Sequence, residues 1–385
     1  MSYHEIKNEL EKLVSFPTVS NRPTDAIVAY LADFLESIGF RIEYHYDVND
    51  PTKTNLLASI GPRDTQGLLL SGHMDVVPTD GQNWHSDPFK LIEKEDRFFG
   101  RGSVDMKGFI ATVISVLKSM KLVNIQKELV LLFTYDEEIG CLGSQAFVKK
   151  FNQTMQNKRI LPTHCIIGEP TNQQMIIQHS GICLFDVILK GKAAHSSQPS
   201  WGINAINDAN KIMNELEDIA ENFKNIQPDE ILKQSLVDPY TSINIATIEG
   251  GLAYNIVPED CKIGISVRPI PGASIQSIKE TIFTRLYALK LQSKLEIIEG
   301  ITSCGLKTSN DASCVNWLKS YVTDKDPKAV AYCTDGGNLA QLNIEPVIFG
   351  PGSIEQAHKP DEYIEINQLV SYSDKLLQMI RNRLI

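Results

Sequence analysis

The stretch "GLLLSGHMD", residues 67–75, decides the fold. Leu68, Leu69 and Leu70 run without a polar break, and His73 and Asp75 close the segment. A short apolar run with turn residues at its ends reads as a strand buried on both faces. Side chains alternate along a strand, so His73 and Asp75 point to the same side. Taken alone they are a polar strand end that meets solvent. The sharper reading is a metal-ligating imidazole with a carboxylate beside it to fix its orientation.

Similar runs occur elsewhere. "ELVLLFTYDEE" (128–138) ends in Glu137 and Glu138, and "THCIIGEP" (163–170) ends in Glu169. "EPVIFGPGS" (345–353) leads into "IEQAHKPDEY", which carries His358. The glycine-rich loop "GRGSVDMKG" (100–108) holds Asp105. It opens into a helix with Phe109, Ile110, Val113, Ile114, Leu117 and Met120 at helical spacing. Helices over 3–15 and 24–39 and strands in "RIEYHYD" and "TNLLASIG" complete the first part. This alternation predicts an α/β catalytic domain with a mixed, largely parallel sheet flanked by helices.

The pattern changes near residue 179. A strand "ICLFDVILKG" precedes a helix whose stripe is Ile203, Ile206, Ala209, Ile212, Leu216 and Ile219. Two strands, "TSINIATIEGG" and "CKIGISVRPI", and a helix over 274–291 follow. The order predicts a ferredoxin-like α+β domain over 180–291, open on one sheet face and inserted into a discontinuous domain of residues 1–179 and 292–385.

The bulk composition sets limits. At 385 residues the chain is too long for one ordinary core. With 42% hydrophobic and 22% charged residues it reads as folded rather than disordered. A formal charge of −10 disfavours a general nucleic-acid binder. Residues 1–16 read as a charged amphipathic helix rather than a secretory signal, and no apolar run is long enough to span a membrane. The seven cysteines are scattered, with no CxxC pair, and read as reduced thiols of a cytoplasmic protein.

In open α/β sheets, sites form beyond the carboxyl ends of strands. That topology would gather His73, Asp105, Glu137, Glu138, Glu169 and His358. Two imidazoles with several carboxylates suit two divalent ions, Zn²⁺ or Co²⁺, bound through N and O. Singly, each residue has a plainer reading: Asp105 as an N-cap, "DEE" as a solvated loop, His73 as a satisfied polar residue. Their joint occurrence is what argues for a metal centre. Asp105 would bridge, His73 and Glu169 would complete one ion, and Glu138 and His358 the other. Glu137 and Glu138 point opposite ways in extended chain, so one can bind metal while its neighbour acts as base. Asp75 would hold the far nitrogen of His73. Arg268, at a strand end, reads as a surface ion pair or as a fork for a substrate carboxylate.

Together, "SGHMDVVP", "GRGSVDMKGF", "DEEIGCLGS", "GEPT" and "GPGSIEQAHKPDEY" resemble the zinc-dependent aminoacylase and exopeptidase superfamily. Within it, "GKAAHSSQPSWGINAI" and "SVRPIPG" bring the chain nearest to the acetylornithine deacetylase family, and the likeness runs over nearly the whole chain. Asp335, in "YCTDGG", stands where that family more often has Glu. The resemblance implies His73, Asp105, Glu138, Glu169 and His358 as ligands, Glu137 as general base and Asp75 as their support. It also implies that the inserted domain is a lid through which the protein forms a homodimer, with His195 reaching the partner's site to stabilise an oxyanion and Asn255 contacting substrate. The expected activity is removal of acetyl from N2-acetyl-L-ornithine in arginine biosynthesis. Succinyl-diaminopimelate desuccinylase, another N-acyl-amino-acid deacylase or dipeptidase, and a non-catalytic binder of amino-acid derivatives are the alternatives.

Overall fold

A computed structural model describes residues 3–63, 66–122, 124–155 and 159–385. The chain divides into two compact units. The first comprises Met1–Ile177, Thr308–Lys328 and Thr334–Ile385, and the second Gln178–Lys307 with Ala329–Cys333.

The first unit is built on a mixed sheet. Strand Leu68–His73 lies between Leu129–Thr134 and His164–Ile167, parallel to both. Glu345–Ile348 continues the parallel set beside His164–Ile167. Thr54–Ile60 and Arg41–Tyr46 extend the other side in antiparallel pairing. Every residue of the Leu68–His73, Leu129–Thr134 and His164–Ile167 strands is buried, as their uninterrupted apolar character demands. The edge strand Arg41–Tyr46 has only one buried residue, His45. Helices Tyr3–Val14 and Ile366–Leu384 pack on helix Lys107–Ser119, which is buried from Lys107 to Leu117 rather than along a single stripe.

Register places the ends of these strands side by side. His73 pairs with Thr134, and Ser71 with Ile167. The residues that follow each strand therefore leave the sheet at one edge. The glycines there are matched to their neighbours. A Cβ on Gly168 would lie 2.0–2.3 Å from ring atoms of Phe109, so only hydrogen lets the chain pass that ring before Glu169.

The second unit has strands in the order Ser242–Gly250, Asp260–Arg268, Ile182–Lys190, Lys294–Ser303, all antiparallel. Helices Ala205–Lys224 and Ile275–Tyr287 complete a βαββαβ ferredoxin-like arrangement. Ala205, Ala209, Ile212, Leu216 and Ile219 pack against Phe185, Val187, Ile263 and Ile265. Along Ile182–Lys190 the residues alternate between buried and partly exposed, so the second sheet face is open.

Two sequence expectations are corrected here. The unit continues past residue 291 to Lys307, because Lys294–Ser303 pairs with Ile182–Lys190 as the fourth strand. Ile206 is exposed instead of lying on the buried stripe. The helix starts only at Ala205, and the Asn204 side chain caps it by accepting from the N–H groups of Ile206 and Asn207.

Gly168→Ala is expected to destabilise the first unit by about 1–3 kcal/mol through overpacking against Phe109. Thermal unfolding followed by circular dichroism measures this. Melting coincident with wild type would show that the Phe109 ring can step aside.

Candidate metal centre

Five backbone segments bring the site together. Strand Leu68–His73 delivers His73, the turn after Leu129–Thr134 delivers Glu137 and Glu138, and Gly168 releases Glu169. The glycine-rich loop before helix Lys107–Ser119 delivers Asp105, whose peptide bond to Met106 is cis. The loop after Glu345–Ile348 delivers His358, which adopts a left-handed backbone at φ 63°.

Asp105 lies between the two imidazoles. Its Oδ1 is 2.9 Å from His73 Nε2, and its Oδ2 is 3.3 Å from His358 Nε2. His358 Nε2 is also 2.8 Å from Glu138 Oε2, and His73 Nε2 is 3.7 Å from Glu169 Oε1. Ligand atoms of His73, Asp105 and Glu138 fall within 4.8 Å of one another, as do those of His73, Glu137 and Glu169. All six residues expected at the centre are thus brought together. His73, Asp105, Glu137 and Glu169 are buried, while the His358 side chain is half-exposed.

Asp75 sits behind this group. Its backbone C=O, at 2.9 Å, is nearer to His73 Nδ1 than its carboxylate, at 3.5 Å. That carbonyl can accept a hydrogen bond from Nδ1–H, the tautomer that leaves Nε2 free to ligate. The carboxylate has further partners. It accepts from the Ser20 hydroxyl at 2.7 Å and from the N–H groups of Glu137 at 3.0 Å and Glu138 at 3.3 Å. Asp75 therefore ties the "DEE" turn to His73. Asp136, at φ 49°, fixes the same turn through Lys53 Nζ at 2.5 Å and the Asn21 N–H at 2.7 Å.

The charge distribution follows from burial. Burial, reinforced by neighbouring carboxylates, holds Glu137 and Glu169 well above the ordinary carboxylate range. Burial and the charge of Asp105 push Glu138 up to about 7. Burial also works to raise Asp105, but bonds to His358 and His73 outweigh it and hold the group low. His358 is raised to about 10 by Asp105 and Glu138. Burial works against the protonated form of His73, yet Asp105 and Asp75 keep it raised. These carboxylates are crowded for want of positive charge. Glu138 Oε1 is buried with no hydrogen-bond partner among the described residues. Nitrogen and oxygen donors in this arrangement fit divalent ions.

Several contributors escape a reading by motif. Asp335 is buried, accepts from the Thr134 hydroxyl at 2.6 Å, and groups with Glu137 and Cys141. Cys141 Sγ lies 3.4 Å from Glu137 Oε1, so a thiol does stand beside the centre. Lys107 is buried, donates to the Phe16 carbonyl at 2.7 Å, and is pushed down to about 7 by burial. Each lies within a quoted motif, but only the tertiary structure places it beside the centre.

His195, Asn255 and Arg268 belong to the second unit and are exposed. His195 Nδ1 lies 2.7 Å from Ser197 Oγ. The Asn255 carbonyl accepts from the Ser196 N–H at 3.0 Å, so the His195 and Asn255 loops are neighbours. Arg268 ends strand Asp260–Arg268 opposite Ser242.

A discontinuous α/β domain with an acid-and-imidazole cluster at its strand ends, and an α+β unit within its sequence, is the architecture of a known class of hydrolases. The chain belongs to Peptidase family M20/M25/M40, whose profile it matches over residues 69–382. An acetylornithine deacetylase of Aliivibrio salmonicida is 34% identical over 375 residues, covering 94% of each chain. Among solved structures, an M20 family metallo-carboxypeptidase from Sulfolobus solfataricus superposes with a TM-score of 0.78 at 19% identity over 99% of both chains. A Bacillus subtilis protein described as a dinuclear metal binding peptidase from the M20 family gives 0.67 at 15% identity, covering 98% of this chain and 97% of that one.

Adding Zn²⁺ to chelator-treated protein is expected to raise its melting temperature, with a stabilisation of about 2.7 kcal/mol at one hundred times Kd. Glu138→Ala and His358→Ala should each reduce the gain. An unchanged melting temperature with wild type would rule out ions bound by this cluster.

Proposed function

We propose that the protein is a two-metal amide hydrolase that removes the acetyl group of N2-acetyl-L-ornithine, giving L-ornithine and acetate. One observation carries the chemistry: the Asp105 carboxylate faces His73 with one oxygen and His358 with the other. Glu169 flanks one side and Glu138 the other. The choice of substrate is supported by relatives named acetylornithine deacetylase that match over nearly their full length.

His73, Asp105 and Glu169 would hold one ion, and Asp105, Glu138 and His358 the other, with Zn²⁺ favoured and Co²⁺ the alternative. Once bound, paired divalent ions polarise an amide carbonyl and lower the pKa of a water. The protein's own groups do the rest. Glu137 takes a proton from the attacking water and delivers it to the leaving amine. His195 of the partner subunit donates to the tetrahedral oxyanion. Arg268 forks onto the substrate α-carboxylate and Asn255 contacts substrate beside it. This requires a homodimer formed through the inserted unit, in which that unit serves as a lid. The protein would act in the cytoplasm, in arginine biosynthesis. A carboxypeptidase is the second reading, favoured by the name of the Sulfolobus structural neighbour.

Assays on N-acetylornithine, N-succinyl-diaminopimelate, other N-acyl amino acids and dipeptides, with Zn²⁺ or Co²⁺ and with chelator, decide among these. The acetylornithine reading requires the highest kcat/KM on N-acetylornithine, and a faster dipeptide would replace it. Glu137→Gln should lower kcat by about 10²–10⁴-fold with metal content intact. Near-normal turnover would remove Glu137 as base. Mixing Glu137→Ala with His195→Ala tests the partner contribution. In a two-fold dimer, random exchange gives about a quarter of wild-type activity if His195 acts across the interface, and none if it acts within its own chain.

A further inference from the structure

The loops that carry Asp105 and His358 are joined by a buried ion pair that the proposed chemistry does not use. Glu362 follows His358 by four residues, and its side chain is almost wholly buried. Its Oε2 accepts from Arg101 Nη1 at 2.7 Å and from the Gly102 N–H at 3.0 Å. Its Oε1 accepts from the N–H groups of Val104 at 2.9 Å and Asp105 at 3.1 Å. One carboxylate thus gathers the backbone of the whole turn that presents the bridging group. The connection also runs through main chain, since the Gly100 N–H donates to the Glu362 carbonyl at 2.9 Å.

Arg101 completes the link back to His358. Its Nη1 also reaches the Lys359 carbonyl at 3.3 Å, and its Nη2 donates to Gln82 Oε1 at 2.6 Å. Gln82 Nε2 in turn donates to the His358 carbonyl at 2.9 Å. The guanidinium lies over the Trp84 ring, 4.9 Å from its centroid. His358 needs such bracing, because its left-handed backbone is uncommon for a residue other than glycine and persists only where its surroundings impose it.

We propose that the Glu362–Arg101 pair, with Gln82, is a positioning device that locks Asp105 and His358 into the geometry that binds the ion on the Glu138 side. The inference rests on the two-metal reading and assigns to these residues the preorganisation of one half of it. The other half shares Asp105 but takes His73 and Glu169 from segments that leave the parallel strands directly, so it depends on this link less. A pair that merely supported the fold would affect both halves alike.

The test is titration of metal-free protein with Zn²⁺ by calorimetry against a competing chelator, together with the visible absorption of the Co²⁺-loaded protein. Glu362→Gln keeps the shape but turns an amide NH₂ toward backbone N–H donors. It should weaken the site that Glu138→Ala also weakens by about 10–100-fold, the usual consequence of losing a group that orients a ligand, and a larger loss at the other site would overturn the proposal. The other site, which shares Asp105 but not His358, should lose clearly less, and the Co²⁺ spectrum of the weakened site should change. Gln82→Ala, at a partly exposed position, should weaken the same site by a smaller factor and serves if Glu362→Gln does not fold. Two unchanged affinities, or an equal loss at both sites, in whichever variant folds would overturn the proposal. Wild type binding fewer than two ions would instead sink the two-metal reading, and the positioning role with it.

Discussion

Mutual repulsion among buried carboxylates is the constraint around which the first unit is organised. Asp105, Glu137 and Glu169 are buried groups, the Glu138 side chain is nearly so, and the buried Asp335 lies close to Glu137. Packing like charges this closely is unfavourable unless cations enter or protons are retained. The two imidazoles relieve part of this repulsion, and the carboxylates in turn raise His358 and His73 above the ordinary imidazole value. The sheet supplies the rigidity. Parallel register fixes where each strand ends, and hydrogen bonds from Asp75 and Asp136 hold the turn beyond.

Much of this was legible because it was written in apolar runs. Strands that are buried on both faces have few alternatives, so Leu68–His73, Leu129–Thr134 and His164–Ile167 could be read from composition and length. Their polar terminal residues then pointed to one edge of the sheet. The strand Lys294–Ser303 was not legible, because it mixes charged and apolar residues at a sheet edge and only Ser303 is buried. Ile206 was misplaced because periodicity does not mark where a helix begins; the capping side chain of Asn204 does.

The same division holds at the site. Residues that end strands could be named from the sequence, and, Asp75 apart, those that hydrogen-bond around them could not. Ser20, Lys53, Asp136, Cys141, Asp335 and Glu362 act through tertiary hydrogen bonds or ion pairs and leave no periodic trace. Asp75 was expected to hold the far nitrogen of His73; its backbone carbonyl lies nearest that nitrogen, and its carboxylate spends its hydrogen bonds chiefly on Ser20 and on the backbone of Glu137 and Glu138. A strand's alternation tells which side a group faces, not which neighbour it will choose.

The sequence span of the site has a bearing on how the chain matures. Ser20 and Asn21 hold Asp75 and Asp136, while His358 and Glu362 come from near the other terminus. At a ribosomal rate of about 5–20 residues per second, the acidic turn is made many seconds before the segment that braces Asp105. Until then the nascent chain holds acidic groups whose balancing imidazole has not been synthesised. The centre is therefore among the last parts of the molecule to be completed, although the strands that carry most of it are made early.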